Sequence, residues 1–578
     1  MSSIPFHCSP NMQLLSTRSF CNPLSFPTSK ITTRKHSTRV SPVCANNKGS
    51  GNVDRREMLL GLGGLSASGL VYPNKTIGAP IQAPNINQCS LPTTQPNDVP
   101  LDCCPPVLSD VVDFVPKTPT RIRVRPAAHN MTKEQIEKYE EATRLMKALP
   151  DDDPRSFIQQ SNVHCAYCDA AYDQVGFPDL ELQIHNNWLF FPFHRWQMYF
   201  YEQILGKLIG DKDFEMPFWN WDHPNGMTMP AIFANKNSPL FHQKRDQRHV
   251  PPVILDLNFE ADTEFPDQER IDKNLTIMYK YMVTNAYPPI KFFGSKYVAG
   301  DDSENTEAGS VEMVPHSAIH NWVGDPDQPQ QEDMGALYSS GNDPAFYCHH
   351  TNVDRLWDVW MKLDPKRNKN LTDPDWLESS FLFYNEDAVP VRVKTKDCLE
   401  ASLLGYRYEN VDIPWMATKP TSGAPSPLSP KQRRVINEPK FPVTLKTAIS
   451  TTVKRPRKGR SKKEKEDEKE VLVLEGIEYD CGMFLTMDVY VNTADPDTIK
   501  PGSSELAGSF VNLPHKHKHR NRNKKKPGIM TSRLSLNISD LLDETNADDD
   551  DDILVTLVPR NGKGAISVKS LSVKFVRD

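Results

Sequence analysis

Two groups of histidines are the residues best suited to chemistry in this chain of 578 residues. Residues 312–360 contain His316 and His320, four positions apart, and the adjacent pair His349 and His350. A spacing of four places both imidazoles on one face of a helix. Two helices that face each other could therefore bring three imidazoles to one point, where they would hold a metal ion.

The second group lies upstream and contains three more histidines. His164 opens the motif HCAYC, His185 follows, and His194 lies within FFPFHRWQMYFYE. The apolar composition around His194 predicts a buried helix. Two groups of three histidines indicate two metal ions rather than one. The alternative is that the histidines are ordinary core residues. That alternative does not explain why six histidines fall into two clusters.

The ligand types narrow the choice of metal. Imidazole suits Cu, Zn, Fe and Ni, whereas carboxylates suit harder ions, so six histidines disfavour Mg²⁺ and Ca²⁺. Zinc hydrolysis is disfavoured because Ser317 follows His316, where a zinc-protease helix carries its general-base glutamate. A copper pair fits, since two Cu(I) ions supply the two electrons that convert O2 into an oxidant. An aromatic-lined mouth would favour a flat phenolic electron donor.

Several elements must position these histidines. A capping box at Thr132 and Gln135 predicts a helix over residues 132–149, and a short helix over residues 153–160 is expected to deliver His164. Pro315 is expected to open the helix that carries His316. Repeated β-rich runs after residue 470 predict a separate antiparallel β-domain. Within that domain, KHKHRNRNKKK (residues 516–526) is interpreted as a solvated loop.

The N-terminal segment has the composition of a targeting sequence. Residues 1–53 lack Asp and Glu, and Arg55 and Arg56 precede a short apolar run at residues 58–71. A transit peptide followed by a twin-arginine signal predicts import into a plastid and transfer to the thylakoid lumen. The run is shorter than the roughly 20 residues of a membrane span. The alternative is a disordered tail with a chance arginine pair.

Charge and cysteine content add two constraints. A net charge of −6 on 578 residues gives no indication of a nucleic-acid partner. Four cysteines near the expected mature N-terminus could form disulfides in a compartment that tolerates them. Spacing leaves their connectivity open. These residues are Cys89, Cys103, Cys104 and Cys165.

The motifs HCAYC, FFPFHRW, PHSAIHNWVGD and DPAFYCHHTNVDRLW resemble the two copper-binding regions of plant polyphenol oxidases. These type-3 copper proteins are also called catechol oxidases. The resemblance runs from about residue 89 to the C-terminus. It implies a mainly α core, a four-helix bundle around a dicopper site with long loops, followed by an antiparallel β-sandwich.

The resemblance also implies a division of the chain. The expected parts are targeting signals (1–79), a tyrosinase-like dicopper domain (80–363), a connecting region (364–415), a protease-sensitive linker (416–470) and a shielding β-domain (471–578). Binding in cis would present the shield at an effective concentration of roughly millimolar. The chain is therefore expected to be a latent proenzyme.

The resemblance assigns residues to roles at the site. It gives the first copper His164, His185 and His194, and the second copper His316, His320 and His350, with His349 outside the ligand set. It implies a thioether between Cys168 and His185 and the disulfides Cys89–Cys104 and Cys103–Cys165. Glu312 matches an acid that holds a water near the second copper, and Leu337 matches a bulky gate. Asp354 and Arg355 are expected to pair with each other and orient their helix.

The implied reaction is oxidation of o-diphenols to o-quinones, with reduction of O2 to water. Ser317 stands where many relatives carry Asn, while Asn321 follows the next histidine, which disfavours hydroxylation of monophenols. Residues Ser317, Asn321 and Leu337 are expected to influence substrate choice. Two alternatives remain open: a specialised oxidase of aurone or lignan type, and an oxygen carrier like hemocyanin.

Overall fold

The computed structural model describes residues 78–90, 102–107, 110–259, 266–423, 429, 438–493, 495–499, 502–517 and 528–577. All of these belong to one compact unit over residues 73–578. The predicted targeting signals at residues 1–79 lie outside the described residues, apart from the last two. None of the described helices combines the length and apolar composition needed to cross a membrane.

The core is mainly helical, as predicted. The α-helices of the described residues are α1 (Lys133–Lys147), α2 (Phe157–Cys168), α3 (Phe190–Leu208), α4 (Ala231–Ala234), α5 (Asp267–Tyr279), α6 (Pro289–Phe293), α7 (Ser317–Val323), α8 (Pro344–Leu363), α9 (Pro374–Leu377), α10 (Lys462–Asp467) and α11 (Ser539–Glu544). Single 3-10 turns connect many of them. Helix α3 packs against both α1 and α8. Because α3 is apolar on nearly all sides, it becomes the buried centre of the bundle.

The helix boundaries follow local sequence signals. Thr132 caps α1, and its capping box with Gln135 is confirmed. Helix α2 differs from the expectation: it begins at Phe157, after the N-cap Ser156, and continues through His164 to Cys168. The predicted end at residue 160 was wrong because the buried residues that follow continue the helical packing.

Pro315 does not open a helix. It lies inside a π-helical segment, Glu312–His316, which continues directly into α7. A proline lacks the N–H group and would clash with the preceding turn of an ordinary α-helix. The wider π turn accommodates it, and such turns are frequent at functional sites. Glu312 and His316, at the two ends of this turn, both line one small cavity.

The strands fall into a few small sheets and two larger ones. They are β1 (Val112–Asp113), β2 (Arg123–Arg125), β3 (Asp173–Gln174), β4 (Phe177–Glu181), β5 (Ser380–Tyr384), β6 (Pro390–Lys394), β7 (Tyr406–Tyr408), β8 (Val443–Thr444), β9 (Ile449–Lys454), β10 (Lys469–Asp480), β11 (Leu485–Val491), β12 (Leu506–Asn512), β13 (Ile529–Asn537), β14 (Asp552–Asn561) and β15 (Ile566–Val576). The first seven belong to the core and the connecting region.

The C-terminal domain is the predicted antiparallel β-sandwich. Its two four-stranded sheets have the orders β13-β10-β15-β8 and β12-β11-β14-β9. The boundary differs from the expected residue 471, because β8 pairs with β15 and β9 pairs with β14. Lysine-rich composition suggested a linker as far as residue 470, but the strand pairing places residues 443–454 in the sandwich. The stretch that connects core and sandwich is thus shortened to about residues 422–440.

A buried charge network connects helices and strands around the histidines. Asp354 on α8 forms a short ion pair with Arg195 on α3 and accepts a hydrogen bond of 2.6 Å from Tyr406 on β7. Arg125 on β2 lies 3.4 Å from Asp354 and 2.8 Å from Glu202. The side chains of all four charged residues are fully buried.

The expected pair between Asp354 and Arg355 was wrong. Adjacent residues on a helix point in different directions, so the two side chains meet different elements. Asp354 meets Arg195, whereas Arg355 lies 2.9 Å from Asp222 in the loop after α3. The role of orienting the helix remains, because both pairs fix α8 against its neighbours.

We expect Asp354→Asn to destabilise the chain by about 3–5 kcal/mol, because removing one partner leaves buried charges uncompensated. The free energy of unfolding from denaturant titration measures this effect. Asp387→Asn is the matched control, since Asp387 forms an exposed pair with Lys207 at 3.1 Å and surface pairs contribute little. Equal stability of the two variants would contradict a structural role for the network.

Candidate metal centre

The first trio of histidines comes from α2, the loop before α3, and α3 itself. The ring centroids of His164, His185 and His194 lie 5.4, 5.5 and 5.3 Å apart, nearly an equilateral triangle. All three side chains are buried. The Sγ atom of Cys168, one turn after His164, lies 3.1 Å from His164 Nε2. His164, Cys168 and His185 form a group whose ligand atoms lie within 4.8 Å of one another.

The second group comes from the π turn, α7 and α8. His316, His320, His349 and His350 are buried and offer ligand atoms within 4.8 Å of one another. The two groups are adjacent: the ring of His194 stacks on that of His350 at 4.2 Å, and His185 lies 6.2 Å from His316. Phe190 contacts rings of both groups, since its centroid is 4.6 Å from His194 and 4.9 Å from His316.

Backbone hydrogen bonds determine which ring nitrogen is available to a metal. The Nδ1 atom of His194 lies 2.8 Å from the Phe190 carbonyl, and that of His320 lies 2.7 Å from the Met334 carbonyl. Since a carbonyl only accepts, Nδ1 carries the proton and Nε2 carries the lone pair. His316 follows the same pattern, with Nδ1 3.2 Å from the Glu312 carbonyl. Metal-binding histidines usually have this arrangement.

The buried nitrogens fit a metal site. The Nε2 atoms of His185, His194 and His316 are buried and have no hydrogen-bond partner. Buried polar atoms in proteins nearly always have a partner, so these three indicate a bound group. Burial lowers the pKa of His194 to about 3 and that of His320 to about 4. The imidazoles are therefore neutral, as ligands must be.

The same argument distinguishes the adjacent pair. The indole N–H of Trp221 donates to His349 Nδ1 at 3.0 Å, so the proton of neutral His349 is on Nε2 and no lone pair remains for a metal. His350 Nε2, in contrast, lies 3.4 Å from His320 Nε2. Two nitrogens bound tetrahedrally at about 2.0–2.1 Å from one ion would be about 3.3–3.4 Å apart. His350, rather than His349, has the geometry of a ligand.

Glu312 lies beside both groups. Its Oε1 accepts the backbone N–H of Asn186 at 2.7 Å, and its Oε2 is buried without a hydrogen-bond partner. Burial raises the pKa of Glu312 to about 8. Asn186 has a positive φ of 60°, a conformation that asparagine adopts more readily than most residues. The sequence alone did not identify Asn186, because its contribution is a backbone group.

A small cavity of about 20 Å³ adjoins Glu312, enough for roughly one water molecule. Ser317 and Leu337 line it, whereas Asn321 is not among its lining residues. The Ser317 hydroxyl donates to the Glu312 backbone carbonyl at 2.8 Å and not to its carboxylate. One side of the wall comes from the C-terminal domain: Val511, Asn512, Leu513 and His515. This cavity thus lies between the histidines and the β-sandwich.

Two disulfides fix the chain near this centre. The structure contains Cys89–Cys104 and Cys103–Cys165. Cys165 directly follows His164 on α2, so the second bridge joins the N-terminal arm to the helix that carries a site histidine. Cys168 is a free thiol in the structure.

The helical core and the paired trios define a dinuclear metal protein, and comparison with known proteins gives its class. Residues 154–363 match the common central domain of tyrosinase. Residues 370–421 match the polyphenol oxidase middle domain, and residues 441–575 match the chloroplastic polyphenol oxidase C-terminal domain. The last match begins at residue 441, in agreement with the strand pairing of the sandwich.

Similar proteins support the same class over nearly the full length. A chloroplastic polyphenol oxidase of Malus domestica is 48% identical over 94% of this chain and 92% of its own length. The chloroplastic (+)-larreatricin hydroxylase of Larrea tridentata is 46% identical over 98% of this chain and 100% of its own length. The solved structure of a latent aurone synthase (polyphenol oxidase) has a TM-score of 0.81 and 41% identity, covering 86% of this chain and 99% of that one.

The chain belongs to the plant polyphenol oxidases, a family of type-3 copper proteins. It is an oxidoreductase whose cofactor is a pair of copper ions. Phenolic substrates and O2 are consistent with this family. The relatives named chloroplastic support a chloroplast location.

We expect His350→Gln to bind about one copper per chain fewer than the unaltered protein, and His349→Gln to bind as many as the unaltered protein. The side-chain carbonyl of a glutamine introduced at position 349 can accept the Trp221 indole N–H, so that variant preserves the existing hydrogen bond. Copper analysis of the purified variants measures the difference. The reverse result, with copper lost only from the 349 variant, would contradict the assignment of the ring protons.

Proposed function

We propose that this chain oxidises o-diphenols to o-quinones, with two diphenols consumed and two waters formed per O2. His164, His185 and His194 would hold one copper ion, and His316, His320 and His350 would hold the other. When bound, the copper pair would supply the redox chemistry that passes electrons from the phenol to O2. The observation that carries this proposal is the pair of buried imidazole trios beside one cavity.

The residues of the chain have separate tasks in this reaction. The backbone carbonyls of Phe190, Glu312 and Met334 hold imidazole N–H groups and so direct the Nε2 atoms inward. Phe190 separates rings of the two trios and helps to exclude water. Glu312, held by the Asn186 N–H, would position a water next to the second copper. Leu337, in the cavity wall, would limit the size and shape of the phenol that can approach.

We also propose a thioether between Cys168 Sγ and the His185 ring. The two residues already belong to one buried group of ligand atoms within 4.8 Å. The bond would form with loss of two hydrogens, which O2 at the copper centre would accept. It would prevent rotation of His185, which lies in a loop and lacks the helical support of His164. Peptide mass analysis would identify the cross-linked pair.

The relatives include a lignan hydroxylase and an aurone synthase by name, so a specialised phenol oxidase remains the second candidate. By name, the polyphenol oxidase, the larreatricin hydroxylase and the aurone synthase are enzymes and not oxygen carriers. Ser317 and Leu337 line the cavity and would therefore influence the choice of phenol. For location, the predicted twin-arginine signal supports the thylakoid lumen within the chloroplast.

We propose that the β-sandwich holds the enzyme latent. Strand β12 and the segment that follows it cover the histidines, and several hydrogen bonds fix this surface. The Val511 N–H contacts Met313 Sδ at 3.3 Å, the Leu337 N–H donates to the Pro514 carbonyl at 3.0 Å, and Ser509 N–H donates to Tyr281 Oη at 2.8 Å. With only about 20 Å³ remaining, a phenol ring has no room to reach copper.

We expect cleavage within residues 424–437, followed by dilution, to raise the rate of 4-methylcatechol oxidation at least tenfold. An inserted protease site makes the cut specific, and oxygen uptake measures the rate. Cleavage converts a cis contact of roughly millimolar effective concentration into one that dilution can dissociate. The same chain with a scrambled protease site is the control. A separated core no faster than the intact chain would contradict the proposed latency.

We expect Ser317→Asn, in the cleaved core, to increase hydroxylation of tyramine about tenfold relative to oxidation of 4-methylcatechol. An amide at this position can reach the Glu312 carboxylate, whereas the Ser317 hydroxyl is bonded to the Glu312 backbone. A positioned proton acceptor typically contributes 10²–10⁴-fold, so a tenfold gain is modest. Asn321→Ser is the control outside the cavity. If both variants behave alike, residue 317 does not set this ratio.

A further inference from the structure

A second cluster of potential metal ligands lies in the C-terminal domain. Cys481, His515 and His517 offer ligand atoms within 4.8 Å of one another. Cys481 follows β10 in a tight turn, and the two histidines belong to the segment after β12. The sequence alone suggested a solvated loop from Lys516 onward, but the side chain of His517 is only 9% exposed. His515 and Cys481 are each 3% exposed. Residues 518–527 lie outside the described part of the chain.

Both imidazoles are oriented as metal-binding histidines usually are. His515 Nδ1 lies 2.8 Å from the Leu513 carbonyl, and His517 Nδ1 forms a short contact with the Glu181 carboxylate. A carbonyl and a carboxylate both accept, so each Nδ1 carries a proton and coordination would use Nε2. Metal-bound histidines typically donate their other N–H to such a group. Cys481 forms no disulfide in the structure.

We propose that Cys481, His515 and His517 bind a third metal ion, Cu(I), separate from the catalytic pair. Thiolate is a soft ligand that selects Cu(I) or zinc. Structural zinc almost always takes four protein ligands, whereas this cluster, among the described residues, supplies three. The thiol proton leaves when the ion binds, because the thiolate is the ligand. No change of oxidation state is needed.

The position of this site links it to closure of the catalytic cavity. His515 lines that cavity together with Glu312 and His316. The backbone N–H of Lys516 donates to Asp169 of the core at 2.6 Å, and the His515 N–H donates to the Cys481 carbonyl at 3.0 Å. An ion shared by Cys481, His515 and His517 would therefore join the turn after β10 to the segment that covers the histidines. His517 also contacts Glu181 of the core, so an ion that orders this segment would favour the closed form.

Copper analysis of the full-length chain tests the site. The protein is loaded with Cu(I) under a reductant, excess copper is removed, and copper per chain is measured. We expect three coppers for the unaltered chain and two for Cys481→Ser and His517→Gln. Cys398→Ser is the matched control and should keep three, because Cys398 is a buried free thiol near the Thr395 carbonyl, outside the cluster.

A second measurement separates this site from the catalytic pair. The O2-dependent absorption band of a coupled copper pair should be the same in Cys481→Ser as in the unaltered chain. If the unaltered chain also lacks this band, the result counts against the proposed function and not against the third site. Two coppers in the unaltered chain, three in both cluster variants, or zinc displacing copper from the cluster would overturn the proposal. His517→Gln provides the answer if Cys481→Ser does not fold.

The role in closure has its own readout. We expect Cys481→Ser to raise the activity of the intact chain two- to tenfold on 4-methylcatechol, with no effect once the linker has been cut. If Cys481→Ser loses one copper but the activity of the intact chain does not change, the metal site is supported and its role in closure is contradicted.

Discussion

Neutral imidazoles are buried in this core with their Nε2 atoms directed inward, and the surrounding helices must hold them in that arrangement. A nitrogen without a partner in a dry core costs free energy, and the Nε2 atoms of His185, His194 and His316 are in that position. Backbone carbonyls hold the opposite Nδ1–H groups in His194, His316 and His320. Copper binding recovers the cost, so the stability of the core and the presence of its cofactor are coupled.

Such a site requires rigid helices, and buried charges provide them. Asp354 lies one turn after His350 and contacts Arg195, which directly follows His194. One ion pair thus fixes the two helices that bring a histidine of each trio into contact at 4.2 Å. Arg125 and Tyr406 extend the network to two strands of the core. The ion pairs therefore affect catalysis indirectly, because they fix the distance between the two histidine trios.

In the proposed latent form, the β-sandwich would oppose the activity of the core. It contributes Val511, Asn512, Leu513 and His515 to the wall of the catalytic cavity. Its hydrogen bonds to the core come from β12, the segment that follows β12, and β13. Closure by a covalently linked domain is effective without high intrinsic affinity. The proposed site at Cys481, His515 and His517 would add a metal-dependent contribution to that closure.

Local periodicity and ligand type were enough to predict the helix spacing of His316 and His320, the capping box of α1, the β-rich C-terminal domain and the copper chemistry. Tertiary structure decided the rest. The Trp221 contact that gives His349 its proton, the partners of Asp354 and Arg355, and the membership of residues 443–454 in the sandwich all join residues distant in sequence. The cluster of Cys481 with His515 and His517 is of the same kind. Such contacts depend on how the elements pack, which neither periodicity nor composition specifies.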